Sequence, residues 1–125
     1  MAQAEERFAL DLVESFPALG KNVDFYYDGP DEFLAHVFFG VEVVREVVTA
    51  YVADGDARPA GDRLDWRGVL RFLDQRLRSG DEAVRTVIGT SFLFRLPMPG
   101  QDGHGIVDEL EGELARLFDV ARPNG

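Results

Sequence analysis

The sequence contains no cysteine among its 125 residues. This absence excludes disulfide scaffolds, thiolate zinc sites, iron–sulfur clusters and a cysteine nucleophile. Histidine is scarce as well, because only His36 and His104 occur, far apart and outside any HExxH pattern. Phosphate-binding glycine motifs are also missing. We therefore expect no catalytic residue, no metal, no cofactor and no enzymatic activity.

Long hydrophobic runs are absent too. The longest nearly uncharged stretch, residues 33–41, is too short to cross a bilayer. The opening residues MAQAEERF carry two acids and lack the apolar segment of a secretory signal. We expect a cytoplasmic protein that is not bound to a membrane.

Basic residues are outnumbered by 23 acids to 13, which gives a net charge of −10. The excess is uneven, since residues 1–62 hold 13 acids against four basic residues, whereas residues 63–125 hold 10 acids against nine arginines. This sign disfavours nucleic-acid phosphates and anionic membranes and would steer a basic protein partner towards the first half. The alternative is that the acidity only keeps the protein soluble.

Helical periodicity is the main pattern that is present. Apolar residues recur at helical spacing over residues 2–16, 31–53, 66–78, 81–96 and 106–120. Segments 18–30, 54–64 and 97–105 predict loops, and residues 121–125 a frayed tail. The short Ser79-Gly80 connection predicts a tight antiparallel hairpin over 65–96. The sequence therefore predicts a single all-α domain, residues 1–125, of about five helices.

The second helix is the ambiguous one. Asp31 is a suitable N-cap, and Glu42 and Arg45 form an ion pair one turn apart within a predicted polar stripe. Residues 33–44 are rich in β-branched and aromatic side chains, so a buried strand stays the alternative. The length of the apolar pattern favours a helix, with Gly40 as a kink. In the fourth helix, Ser91 is expected to bond a carbonyl one turn back.

Residues 24–32 (DFYYDGPDE) interleave acids with aromatics on a loop. Tyrosines flanked by carboxylates are effective protein-binding groups, because the rings supply rigid contact area and the acids attract Arg or Lys. The predicted partner-binding residues are Asp24, Tyr26, Tyr27, Asp28, Asp31 and Glu32, with Asp54 and Asp56 added if both loops lie at one end of the bundle. The alternative is that Phe25 and one tyrosine fill the core beneath the loop.

In the stretches AHVFFG (35–40), WRGVLRFL (66–73) and SGDEAVRTVIGTSFL (79–93), the chain resembles a bacterial family of small uncharacterised helical domains. The stretch AHVFFG at 35–40 is similar to a His-hydrophobic-Phe-Gly signature, and SGDEAVRTVIGTSFL at 79–93 is similar to the pattern SGDExVxNxIxxSFLExL. With WRGVLRFL at 66–73, the matching stretches lie within residues 35–93, a span of about half the chain, although Thr86 replaces the expected Asn and Phe94 the expected Glu. It implies an all-helical domain with a toxin-immunity-like role and no catalytic residues.

Two functional hypotheses follow. The first is an acidic interaction module, an immunity or antitoxin-like protein that neutralises a basic effector by direct binding, with Tyr26 and Tyr27 as anchors. The second is a small-molecule binding protein with a pocket near His36 and Trp66. A homodimeric scaffold with Phe38 and Phe39 at its interface is a third reading.

Overall fold

All regular secondary structure in the described part of the chain is helical. The computed structural model describes residues 3–29, 32–53 and 64–123. Within these ranges the only β-type contact is an isolated antiparallel bridge between Tyr27 and Phe33. The all-α prediction is confirmed, and the strand alternative for residues 33–44 is wrong because residues 35–43 are helical. None of the described helices is both long and apolar enough to span a membrane.

Five helical rods make up the described structure, as the periodicity predicts. They are α1 (Gln3–Ser15); α2 (Ala35–Val37), which continues through a first π-helical segment (Phe38–Val43) into α3 (Val44–Ala53); α4 (Trp66–Arg78); α5 (Glu82–Val87), which continues into a second π-helical segment (Ile88–Leu93); and α6 (Gly112–Ala121). Short 3₁₀ segments cover Pro17–Gly20, Val23–Tyr26 and His104–Glu109. The Asp31 cap and most of the 54–64 loop lie outside the described residues.

The last helix is shorter than predicted. Residues 106–120 are divided into a 3₁₀ segment and α6, because Leu110 and Glu111 are extended, with ψ of 139° and 162°. The start of α6 is fixed from α4: the Asp74 carboxylate accepts hydrogen bonds from the backbone N–H groups of Glu113 (2.9 Å) and Leu114 (3.2 Å). A cap of this kind satisfies free amides at a helix start.

Aromatic side chains fill the centre of the domain. Phe8 of α1 stacks on Phe39 with ring centroids 4.8 Å apart, and Phe38 meets Phe39 edge-on at 5.4 Å. Phe38 and Phe39 are completely buried. The homodimer with these two residues at its interface is therefore wrong. The predicted polar stripe is also partly wrong, because Glu42 is 1% exposed, although its ion pair with Arg45 is present.

The segment after α6 is anchored at its first residues. Arg122 is buried, and its guanidinium donates to the carbonyl oxygens of Leu96 (2.6 Å) and Pro97 (3.0 Å). The prediction of a frayed tail from residue 121 is wrong at this position. The reason is that the carbonyl groups of Leu96 and Pro97, which follow the second π-helical segment, accept hydrogen bonds from Arg122 and hold it in place.

Candidate functional site

The loop that carries the predicted partner residues is tied to the start of the second rod. Two backbone hydrogen bonds, Asp28 N to Glu32 O and Leu34 N to Tyr26 O, are each 2.7 Å long. They enclose the bridge between Tyr27 and Phe33. This pairing fixes the direction in which successive side chains of the loop point.

Tyr26 is held from below by a buried carboxylate. Its hydroxyl donates to Glu42 Oε1 at 3.0 Å, while Asn22 Nδ2 donates to Glu42 Oε2 at 3.1 Å and Arg45 Nη2 lies 2.5 Å from Oε1. Burial of the Tyr26 ring, together with its hydrogen bond to Glu42, raises the pKa of the phenol above its usual value. The negative charge of Glu42 in turn raises the pKa of Arg45. Three donors therefore surround the Glu42 carboxylate inside the fold.

Tyr27 is held in the same way from α1. Its hydroxyl donates to Glu6 Oε2 at 2.6 Å. That hydrogen bond, with a smaller effect of burial, raises the pKa of Tyr27 to about 12. Both tyrosines are half-buried and pack against the core, so their hydroxyls face into the protein.

The raised pKa values predict a loss of stability at alkaline pH. The folded-state pKa of Tyr27, about 12, lies above the usual phenol value of 10.0. The stabilisation of the fold by the Tyr27 hydrogen bond is therefore complete below pH about 10 and declines as pH rises towards about 12. We expect the free energy of unfolding, measured by urea titration, to fall more between pH about 9 and about 11.5 in the wild type than in Tyr27→Phe. Tyr51→Phe, which alters a ring packed on Trp66, is the matched control and should retain the wild-type decline. Equal declines in wild type and Tyr27→Phe would contradict the assignment.

Phe25 is the aromatic residue of this loop that projects into solvent. Its side chain is 83% exposed, and the neighbouring Asp24, Asp28 and Glu32 are exposed too. Within the described ranges these three carboxylates make no ion pair or side-chain hydrogen bond. The alternative in which Phe25 fills the core is wrong, because the two tyrosines occupy that side.

Five of the predicted partner residues lie on this loop or beside the bridge between Tyr27 and Phe33: Asp24, Tyr26, Tyr27, Asp28 and Glu32. Asp31, Asp54 and Asp56 lie outside the described residues, so their part in the surface stays a prediction. Sequence reasoning named Phe25 only as a residue that could fill the core and did not place it among the partner-binding residues. Three adjacent aromatics give no periodic signal, and only the 3₁₀ geometry of Val23–Tyr26 decides which of them points outward.

His36 and Trp66, which were predicted to lie near one pocket, line two separate cavities in the described part of the chain. Trp66 is buried at the mouth of a cavity of about 130 Å³ between α4 and the start of α6, with Arg67 over its ring at 4.3 Å. His36 borders a cavity of about 300 Å³ between the two π-helical segments. No cluster of three or more His, Asp or Glu able to hold a metal occurs in the part of the chain that the structure describes.

His36 and Ser91 form the closest polar pair of the second cavity. His36 Nδ1 lies 2.6 Å from Ser91 Oγ, although the two residues are 55 positions apart. The hydrogen bond to a carbonyl one turn back, predicted for Ser91, is made by Thr90 instead, whose hydroxyl donates to Thr86 O at 2.7 Å. Ser91 bonds across the interface because His36 faces it from the other rod.

Comparisons with known proteins add no relative to these observations. No protein-family model, no curated protein and no solved structure matches the chain. The resemblance to the bacterial immunity-like family therefore stays a prediction.

Proposed function

We propose that this chain is an acidic protein-interaction module, an immunity or antitoxin-like protein that neutralises a basic effector by binding it directly. The observation that carries the proposal is Phe25, a large aromatic side chain 83% exposed beside the exposed residues Asp24, Asp28 and Glu32. We call the patch formed by Asp24, Phe25, Asp28 and Glu32 the Phe25 surface. It combines an apolar anchor with negative charge at one place.

The anchor is worth most to a partner that buries it. Burial of a phenylalanine side chain contributes roughly 2–3 kcal/mol, and a few such residues usually supply most of the energy of an interface. In the isolated chain this contribution is unused. Tyr26 and Tyr27 are hydrogen-bonded to Glu42 and Glu6, and these bonds hold the loop that carries Phe25 in place before a partner binds. Less conformational entropy is therefore lost on binding.

Charge defines the kind of partner. The carboxylates of Asp24, Asp28 and Glu32 lie in the half of the chain that holds 13 of the 23 acids. Lys and Arg side chains on a partner would pair with them, and the net charge of −10 would accelerate encounter with a basic protein. A nuclease that uses cations to hold phosphates is the class of effector that this surface fits best.

The Phe25→Ser variant tests the proposal. We expect the tagged wild type to capture one stoichiometric basic protein from its own organism's lysate at low salt, and Phe25→Ser to capture little of it. With that protein purified, Phe25→Ser should weaken binding about thirtyfold, the effect of losing a residue worth about 2 kcal/mol. Affinity should also fall as salt rises. Calorimetric titration at two ionic strengths gives both numbers.

Val120→Ser is the matched control, because Val120 is 70% exposed on α6, outside the Phe25 surface. It should bind like the wild type, and both variants should keep wild-type stability to within about 0.5 kcal/mol because they change exposed side chains. Equal capture by Phe25→Ser and wild type, or an affinity indifferent to salt, would refute the proposal. Capture of no protein would favour the alternatives, a small-molecule binding protein or a homodimer that uses a surface other than Phe38 and Phe39.

A further inference from the structure

The cavity beside His36 lies where the two π-helical segments pack against each other. Its volume is about 300 Å³, its polar lining is His36, Thr90, Ser91 and Arg95, and Val37 and Val41 form an apolar side. π-Helical turns are rare and occur frequently at functional sites. Here both rods widen at the same place, which leaves room between them for a small molecule.

The pair of His36 and Ser91 keeps one hydrogen-bond donor for such a molecule, whether Ser91 or His36 donates the hydrogen bond that joins them. If the Ser91 hydroxyl donates to Nδ1 of His36, the ring carries its proton on Nε2. If Nδ1–H donates to Ser91 Oγ, the hydroxyl proton of Ser91 is the one left over. In either arrangement one N–H or O–H donor remains, and Thr90 Oγ1 lies 3.4 Å from the same ring nitrogen.

Arg95 adds a positive charge. The aliphatic part of the Arg95 side chain packs against Gly40 of the second rod, because a Cβ atom added at Gly40 would lie 3.5 Å from Arg95 Cγ. Within residues 3–29, 32–53 and 64–123, Arg95 makes no ion pair, unlike Arg45, Arg67 or Arg76. A guanidinium with free N–H groups pairs well with carboxylate or phosphate oxygens.

We propose that this cavity is a binding site for a small organic anion, a carboxylate or a phosphate monoester with a short apolar group. Arg95 takes the charge, the His36–Ser91 pair donates a hydrogen bond, and Val37 and Val41 contact the apolar part. The site is independent of the Phe25 surface, so either proposal stands if the other fails. Because the chain carries a net charge of −10, which opposes the approach of an anion, we expect millimolar affinity.

The test uses three ligands of equal chain length: butyrate, butyl phosphate and butanol. Backbone amide and His36 ring signals are followed by NMR titration at constant ionic strength. We expect saturable shifts at Thr90, Ser91 and His36 with at least one of the two anions and no saturation with butanol. Which anion binds more tightly identifies the class of ligand, and either result supports the site.

Arg95→Gln separates charge recognition from chance contact. It should weaken anion binding at least about tenfold, because glutamine removes the positive charge and its charge-assisted hydrogen bonds to the anion. Arg85→Gln is the matched control, since Arg85 is exposed on the same rod but lines a different groove, and it should bind as the wild type does. Ser91→Ala, which keeps the helix intact, should weaken binding by a smaller factor.

Three results would overturn the inference. They are the absence of saturable shifts with both anions, an equal loss in Arg85→Gln and Arg95→Gln, and saturation by butanol at the same concentrations as the anions. The first result would mean that no anion site exists, and the second that binding responds only to the overall charge of the protein. The third would mean that the cavity binds apolar groups without recognising the charge.

Discussion

Glu42→Ala should lower the free energy of unfolding by about 3 kcal/mol, because it removes a buried carboxylate and leaves its donors without an acceptor. The Glu42 side chain is 1% exposed and accepts from Asn22, Tyr26 and Arg45. Arg45 is half-exposed and regains water, but Asn22 and Tyr26 are partly enclosed. For a domain of this size the loss corresponds to a decrease in Tm of roughly 10 °C.

Glu46→Ala is the control for this effect. It removes the same charge from the same rod, yet Glu46 is partly exposed and its pairs with Lys21 and Arg45 are 3.8 Å and 3.4 Å long. Pairs of this kind contribute well under about 1 kcal/mol. Urea unfolding of both variants tests this prediction. Similar decreases in the free energy of unfolding for Glu42→Ala and Glu46→Ala would show that the burial of Glu42 adds nothing to stability.

The same substitution affects the Phe25 surface. Without Glu42, the hydroxyl of Tyr26 loses its acceptor, and the loop beneath Phe25 loses one of its two side-chain anchors. We therefore expect Glu42→Ala, assayed well below its Tm, to bind the partner more weakly than Glu46→Ala does. The hydrogen bond between Tyr26 and Glu42 would then contribute both to the stability of the fold and to the order of the Phe25 surface.

Arg122→Met should destabilise the fold by about 2–4 kcal/mol, because buried carbonyl groups lose their donors. The Arg122 guanidinium donates to Leu93 O (3.4 Å), Leu96 O (2.6 Å) and Pro97 O (3.0 Å), and it lies 5.1 Å from the centre of the Phe118 ring. Methionine keeps much of the side-chain volume and removes only the donors and the charge. The expected loss therefore reports on the polar contacts of the guanidinium, including its position over the Phe118 ring.

Two further variants define this prediction. Arg122→Lys keeps the charge but cannot reach three carbonyls with the same fork, so we expect about half of the loss. Arg116→Met, on the exposed side of α6 where Arg116 pairs with Glu113, should change stability by less than about 0.5 kcal/mol. Thermal and urea unfolding of the three proteins test the order. Wild-type stability in Arg122→Met would mean that water satisfies these carbonyls in its place.

Much of the helical framework follows from local sequence. The spacing of apolar residues predicts all five rods, and α4 begins and ends at the predicted residues, Trp66 and Arg78. Asp65 and Asp81 cap the helices that follow them, accepting from the N–H groups of Gly68 and Ala83 at 3.0 Å and 2.9 Å. These caps act within three residues, so the sequence alone specifies them.

The errors lie where a distant segment decides the outcome. The break before α6 depends on Asp74, which is 39 residues away from the amide it caps. Helical periodicity assigns Glu42 to the polar stripe of the second rod, but periodicity does not reveal that the segment carrying Asn22 and Tyr26 covers that stripe. The buried role of Arg122 likewise requires the end of the second π-helical segment to lie beside it.

The candidate sites divide in the same way. The order of residues already shows that the chain is acidic, lacks cysteine, and is rich in acids and aromatics over residues 24–32. The packed fold is needed to show that Tyr26 and Tyr27 turn inward to carboxylates while Phe25 turns outward, and that His36 contacts Ser91, 55 positions away. Which way a side chain points in an irregular loop depends on the backbone segments that pack against the loop. Contact between two rods depends on the same packing, and the residues next to a position in the sequence do not specify it.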